Sequence, residues 1–312
     1  MKITRRAFVH GSAVGSIAAL ADGTVTAQTH VVTEPPTQGW IDAHVHVWSG
    51  DTVRYPTSDQ IKKSAFKPDS FTPKDLFAEC EPSGVNRIVL IQMSFYEDDH
   101  SYLFQAMQDY PQRFSAVALI DHQRDDLPAQ VQRMLRRGIR GFRIHSPGDA
   151  GAWVTDAGMA ELWKLAAEHD FAICPLINPN DISYIATLCE KFPATKVVVD
   201  HFARIGISGV FEKEPLRQLC GLSRFPKTHI KTSAFYALGK KAPPYNDILP
   251  MIKQVYDHFG PQRLMWASDC PFQVQSPHQY EASISLIRDR SDFLSGEDKE
   301  WMLRKTAEKL FF

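Results

Sequence analysis

At 312 residues, 44% hydrophobic and 23% charged, the chain is long enough to bury a large core and too apolar for a disordered polymer. Its formal charge of −1 supplies no broad basic field, which argues against nucleic acid as the main partner. Five scattered cysteines without a C-x-x-C pair suggest neither a zinc knuckle nor a disulfide framework.

The N-terminus reads as a targeting segment. Thr4-Arg5-Arg6-Ala7-Phe8-Val9 has the twin-arginine export pattern, a moderately apolar run from Ala13 to Ala21 follows, and Val25-Thr26-Ala27 offers a small-residue cleavage site. The run is too short, and too rich in glycine and serine, for a stable membrane span. Residues 1–27 are therefore expected to be a signal peptide and the protein periplasmic. Losing Lys2, Arg5, Arg6 and Asp22 would move the formal charge from −1 to −3. Residues 28–38, with Pro35-Pro36, read as a linker, and residues 39–312 as one domain.

The first strand is expected at Gly39–Val47. His44 and His46 would share one of its faces, with Ile41, Ala43, Val45 and Val47 on the other. Such a pair can mark a site or simply satisfy core hydrogen bonds. Thr72-Pro73 is a good cap and first turn for a helix. Short apolar runs then recur at Arg87–Met93, Phe114–Ile120, Ile139–Ile144, Phe171–Ile177, Lys196–Val199, His229–Thr232 and Arg263–Ala267, with helix-like segments between them. Eight strands alternating with helices require crossover connections and a parallel sheet, and their number fits a closed (β/α)8 TIM barrel. No G-x-G-x-x-G or Walker pattern supports an open doubly wound sheet.

In such a barrel the active site lies at the C-terminal strand ends. Those ends carry His44 and His46, Arg143 and His145, Asp200-His201, Lys231 and Ser233, and Ser268-Asp269-Cys270-Pro271. Closure would bring Asp269 near the two histidines of strand one. Arg143 could instead be a structural ion-pair partner, Lys231 a strand-end charge reaching solvent, and Asp269 a helix cap. Tyr55, Asn178, Arg204, Tyr236 and His122 are weaker candidates on strand-end loops.

Ile41-Asp42-Ala43-His44-Val45-His46-Val47-Trp48, Tyr55-Pro56, Val198-Val199-Asp200-His201-Phe202, Ile230-Lys231-Thr232-Ser233 and Arg263-Leu264-Met265-Trp266-Ala267-Ser268-Asp269-Cys270-Pro271 together resemble the amidohydrolase superfamily. Within it the resemblance is to the amidohydrolase-related branch that includes pyrone and sugar lactonases and non-oxidative decarboxylases. It implies that His44 and His46 match a strand-one pair that binds a divalent metal in metal-dependent members. His201 matches the strand-six histidine, and Asp269 the strand-eight aspartate that acts as base and sometimes as metal ligand. The sequence departs from that pattern on strand five, where Ala172-Ile173-Cys174-Pro175-Leu176-Ile177-Asn178 offers no histidine, and on strand four, which lacks a bridging lysine or glutamate. A binuclear centre is therefore not expected.

These readings lead to a hydrolase opening a lactone or other cyclic ester of a carboxylated or polyhydroxylated small molecule. Asp269 would be its acid/base, with His44, His46 and His201 polarising the carbonyl. Arg143, His145, Lys231, Tyr55 and Arg204 are the expected substrate contacts, and the arginines point to an anionic substrate. No required cofactor is favoured; the alternative is one divalent ion such as zinc on His44, His46 and Asp269. The rival functions are a metal-dependent non-oxidative decarboxylase and a barrel that binds a small molecule without turnover. Oligomeric state is not legible.

Overall fold

The computed structural model describes residues 39–58, 66–146 and 148–312. The signal peptide and linker expected over residues 1–38 lie outside the described residues. Eight strands form one parallel sheet in sequential order: β1 (Trp40–Val45), β2 (Val85–Ile91), β3 (Phe114–Leu119), β4 (Ile139–His145), β5 (Ala172–Leu176), β6 (Lys196–Val199), β7 (Thr228–Ser233) and β8 (Leu264–Ala267). The main helices between and after them are α1 (Pro73–Cys80), α2 (Ser101–Asp109), α3 (Leu127–Arg136), α4 (Ala157–His169), α5 (Ile182–Lys191), α6 (Lys213–Gly221), α7 (Leu249–Phe259) and α8 (Tyr280–Arg288). Two final helices, α9 (Gly296–Glu300) and α10 (Thr306–Phe311), flank a π-helical turn at Trp301–Lys305. This is the expected (β/α)8 barrel. None of the described helices is long and apolar enough to cross a membrane.

Local sequence explains the helix starts. Thr72 caps α1 in a reciprocal box with Asp75, and Ser295 does the same for α9 with Asp298. Strand β2 begins two residues before the apolar run suggests. The left-handed turn at Gly84 aligns Val85 with Trp40, and the polar Asn86 and Arg87 can be paired because they lie at the barrel's lower rim, where Arg87 meets Glu308 at 2.8 Å.

The barrel interior is filled by alternating residues from the strands, including Ile41, Ala43, Val89, Cys174, Met265 and Ala267. From below, α10 plugs it with Ala307 and Phe311, and the Phe311 carbonyl accepts a bond from Ser115 Oγ at 2.5 Å. Simple alternation along β1 is interrupted. The register shifts between Asp42 and Val45, so Ile41 and Ala43 share the interior with the histidine pair while Val45 and Val47 pack outward against the helix layer. The bulge is what the one-residue alternation rule could not anticipate. All five cysteines are buried and free.

Closure between β8 and β1 uses main-chain bonds at the upper rim. His46 N–H donates to the Cys270 carbonyl at 2.8 Å, and Asp269 N–H donates to the His44 carbonyl at 2.9 Å. Asp42, fully buried, accepts from Ser268 N–H at 2.9 Å, His44 N–H at 3.1 Å and the Tyr280 hydroxyl at 2.7 Å. Burial pushes its carboxyl up to about 6, against the pull of those hydrogen bonds. Replacing Asp42 with Ala strands three buried donors, so a loss of about 3 kcal/mol is expected in urea unfolding, against about 1 kcal/mol for Tyr280→Phe.

Candidate active site

Asp269 sits just past β8 in the left-handed region, at φ 66°, a conformation aspartate tolerates better than most residues. Its carboxylate is the point on which the histidines converge. Oδ1 lies 3.3 Å from His46 Nε2 and 3.5 Å from His44 Nε2; Oδ2 lies 3.8 Å from His201 Nε2 and accepts from the Tyr236 hydroxyl at 2.6 Å. Burial favours the neutral acid; positive charge on the imidazoles of His201, His46 and His44 opposes it and lowers the carboxyl below its usual range, and the hydrogen bond from Tyr236 favours the carboxylate where those rings are neutral. It is ionised at neutral pH. Burial, and then the neighbouring Asp269 charge, push the Tyr236 phenol up, so that group stays a donor.

Hydrogen bonds on the far side of each ring set the tautomers. His46 Nδ1 faces the Ile91 carbonyl at 2.8 Å, and a carbonyl can only accept, so Nδ1 carries the proton and Nε2 of the neutral ring is a lone pair. Ser233 Oγ donates to the Lys231 carbonyl at 3.3 Å and therefore accepts from His201 Nδ1 at 2.8 Å, which again leaves Nε2 as a lone pair. Burial pulls His201 down to about 4, so it is neutral. Burial and then the Lys231 charge likewise depress His44.

His201 is presented by an unusual backbone. His201, Phe202, Ala203 and Arg204 all have φ between 50° and 59°, one turn of left-handed helix. Such a turn costs about 1–2 kcal/mol per residue. It aims His201 and Arg204 into the same cavity, as strain at a functional site often does.

Beneath the histidines lies a buried charge network. Asp200 meets Lys231 Nζ at 3.0 Å, His44 Nδ1 at 3.3 Å and Arg143 Nε at 3.3 Å. Asp200 and Lys231 are both fully buried. Burial opposes ionisation of Asp200, yet Lys231, His44 and Arg143 hold it well below its ordinary range. Lys231 Nζ is also 3.1 Å from His44 Nδ1, so that nitrogen faces both a donor and an acceptor. Either His44 tautomer is thereby provided for.

A cavity of about 380 Å³ opens above, with His46, Arg143, His201, Arg204, Tyr236 and Asp269 among the residues facing it. The residues expected from the sequence divide accordingly. His46, His201, Asp269, Arg143 and Arg204 come together around the cavity. His44 is fully buried behind Asp269 and reaches the site through it. Lys231 lies under His44 instead of reaching substrate or solvent, because β7 directs it into the barrel interior above Phe311. Tyr55 is turned away against Tyr102 of α2, at 4.8 Å between rings. His145 is the exposed last residue of β4 and lines a neighbouring cavity of about 350 Å³ with His122 and Trp153, Ser94 and Arg143 lining both cavities. Asn178 holds Arg204 Nη1 at 3.3 Å. Two participants carried too little signal on their own: Asp200, visible only as the residue before His201, and Tyr236, one loop aromatic among several.

The donor set suits a metal ion. His44, His201 and Asp269 each offer a ligand atom, all within 4.8 Å of one another, His46 adds a lone pair beside Asp269, and Asp269 Oδ1 is buried without an aligned hydrogen-bond donor among the described residues. This set includes His201 as well as the expected His44, His46 and Asp269. On β5 the interior position is Cys174, whose thiol burial pushes up to about 12, so it offers no thiolate.

An amidohydrolase family model matches residues 41–312. The chain belongs to the amidohydrolase family. It is 28% identical over 271 residues to an L-fucono-1,5-lactonase from Burkholderia ambifaria, covering 83% of this chain and 90% of that protein. It is 24% identical over 238 residues to a 4-sulfomuconolactone hydrolase from Hydrogenophaga intermedia, covering 76% and 75% respectively. An amidohydrolase crystal structure from Burkholderia multivorans with bound zinc superimposes with a TM-score of 0.75 at 21% identity, covering 88% of this chain and 99% of that one.

The buried network has a direct consequence for this amidohydrolase. Asp200→Ala leaves Lys231 and Arg143 without their shared counter-charge and is expected to cost about 3–5 kcal/mol. The double substitution Asp200→Asn with Lys231→Met should recover most of that loss, as read by denaturant unfolding of both variants and the parent protein.

Proposed function

We propose that this amidohydrolase is a lactonase: it adds water across the ester bond of a small cyclic ester, with Asp269 as general base and acid. The observation that carries the reading is an ionised carboxylate ringed by imidazole lone pairs at the floor of a small cavity, with two guanidinium groups on its wall. The lactone-hydrolysing relatives support it.

The hydrogen bonds divide the labour. Nε2 of His46 and of His201 accept, so in its neutral form one of these rings takes one proton of the attacking water while Asp269 Oδ1 takes the other. The carbonyl is left to Arg143, a permanent donor facing the same cavity. Water oxygen bonds to the carbonyl carbon as its proton passes to Asp269, and the carbonyl π pair moves onto the oxygen facing Arg143. When that pair returns, the ring C–O bond breaks and the proton on Asp269 passes to the departing alkoxide. Ring opening generates a hydroxy acid, which loses its proton to solvent.

A divalent ion held by His44, His46, His201 and Asp269 would supply Lewis-acid polarisation and a more acidic water. The chain's own charges already leave the site no negative surplus without one, and Arg204 on the cavity wall adds a further positive charge. Arg143 and Lys231 offset Asp200 and Asp269, and the Lys231 ammonium stands directly behind His44. We therefore assign the basal reaction to the residues themselves. A periplasmic setting belongs to the same proposal and rests on the twin-arginine pattern alone.

Asp269→Asn should lower kcat on a lactone substrate by about 10²–10⁴-fold with KM changed far less. Release of carbon dioxide from a carboxylated substrate whose ring stays closed would instead identify a decarboxylase. Exhaustive chelation of the purified enzyme is expected to leave kcat/KM within about threefold; a loss beyond about 100-fold that zinc restores would move carbonyl polarisation to the ion.

A further inference from the structure

The lactone-hydrolysing relatives differ in substrate chemistry, one named for a sugar lactone and one for a sulfonated unsaturated lactone. At 24–28% identity their names do not choose between them for this chain. The cavity walls do. Above the polar floor the cavity is enclosed by Met93, Leu176, Ile207, Leu238 and Phe272. Among the described residues facing it, the neutral hydrogen-bonding side chains beyond the His46 and His201 rings at the floor are the Ser94 and Tyr236 hydroxyls, and the Tyr236 proton is committed to Asp269. Asp269 is the one carboxylate among them, and none of these described residues is a carboxamide.

A sugar lactone carries several ring hydroxyls, each needing both a donor and an acceptor once desolvated. Set against Met93, Leu176 and Leu238 they would go unpaired, at about 1–3 kcal/mol each. A flat conjugated ring meets no such cost. Phe272 and Tyr236 both line the cavity, their ring planes 28° apart and their centres separated by 6.3 Å, and each offers an aromatic contact to such a ring. At about 380 Å³ the cavity is at the small end of ligand pockets and suits one ring with short substituents.

Charge completes the argument. Arg143 is set against the buried Asp200, whereas Arg204 hydrogen-bonds the neutral Asn178 side chain, and the two guanidinium groups oppose one another. An oxyanionic substituent on the substrate would relieve that repulsion and accept from the Arg204 fork.

We infer that the substrate is a planar, unsaturated lactone bearing an oxyanionic group, held by Arg204 and packed against Phe272 and Tyr236, and not a polyhydroxylated sugar lactone. This inference rests on the lactonase reading. The test compares kcat/KM of the purified protein on three probes: an unsaturated five-membered lactone carrying a carboxymethyl group, its neutral carboxamide, and L-fucono-1,5-lactone. The acid is expected to exceed the sugar lactone by at least about 100-fold and the carboxamide by at least about 10-fold. Arg204→Met should collapse the acid-to-carboxamide ratio. Ile207→Asn, at a half-exposed position where folding is not at stake, should raise KM for the unsaturated lactone several-fold. Equal or faster turnover of the sugar lactone overturns the substrate assignment and leaves the lactonase reading standing. Failure to open any of the three lactones, with or without added zinc, overturns both.

Discussion

The hydrogen bond from the Asp269 amide to the His44 carbonyl is the interaction on which the rest depends. It belongs to barrel closure, yet it also sets the distance between the carboxylate and the first histidine. A parallel barrel can close only if β8 finds β1, and here the pairing extends past both strands into the residues that do the chemistry. Asp42 secures the same seam from the helix side by tying Ser268, His44 and Tyr280 to one buried carboxylate. Fold stability and active-site geometry are thus the same constraint at this rim, which is why Asp269 can be placed without a long supporting loop.

A second layer lies beneath. Lys231, Arg143, Asp200 and His44 are buried charges and dipoles that would be expensive singly and are tolerable only as a set. Their arrangement gives His44 a donor and an acceptor at one nitrogen, so a proton can be accommodated without moving heavy atoms. The left-handed turn at His201–Arg204 adds backbone strain to this desolvation cost. Both are offset by the apolar packing of the surrounding barrel, and both concentrate where substrate is handled.

The architecture was largely legible in the sequence, because buried parallel strands leave short apolar runs that turn signals punctuate. The C-terminal strand-end rule then singled out His46, Arg143, His201 and Asp269. What escaped is what depends on side-chain direction after the strand ends. The β1 bulge changes which face Ala43 occupies, and no periodicity encodes it. Lys231 has the composition of a solvent-reaching charge, and only the positions of Asp200 and His44 reveal why it stays inside. Tyr55 and Tyr236 look alike as loop tyrosines. One packs on α2 and the other bonds Asp269, a difference set by tertiary contacts many residues away.

Floor and walls of the cavity have different origins. The floor comes from strand ends held by the barrel's hydrogen-bond register, so Asp269, His46 and His201 cannot drift without disturbing closure or the β6 and β7 ends. Apart from Leu176 at the end of β5, the walls come from segments beyond the strands: Met93 and Ser94 after β2, Ile207 after β6, Leu238 after β7 and Phe272 after β8. Those segments can change side chains at little cost to the barrel. Relatives at 24–28% identity are named for lactones of different chemistry, which such a division between floor and walls would allow. For this chain the apolar wall and the Arg204 charge carry the choice, and the floor alone would not.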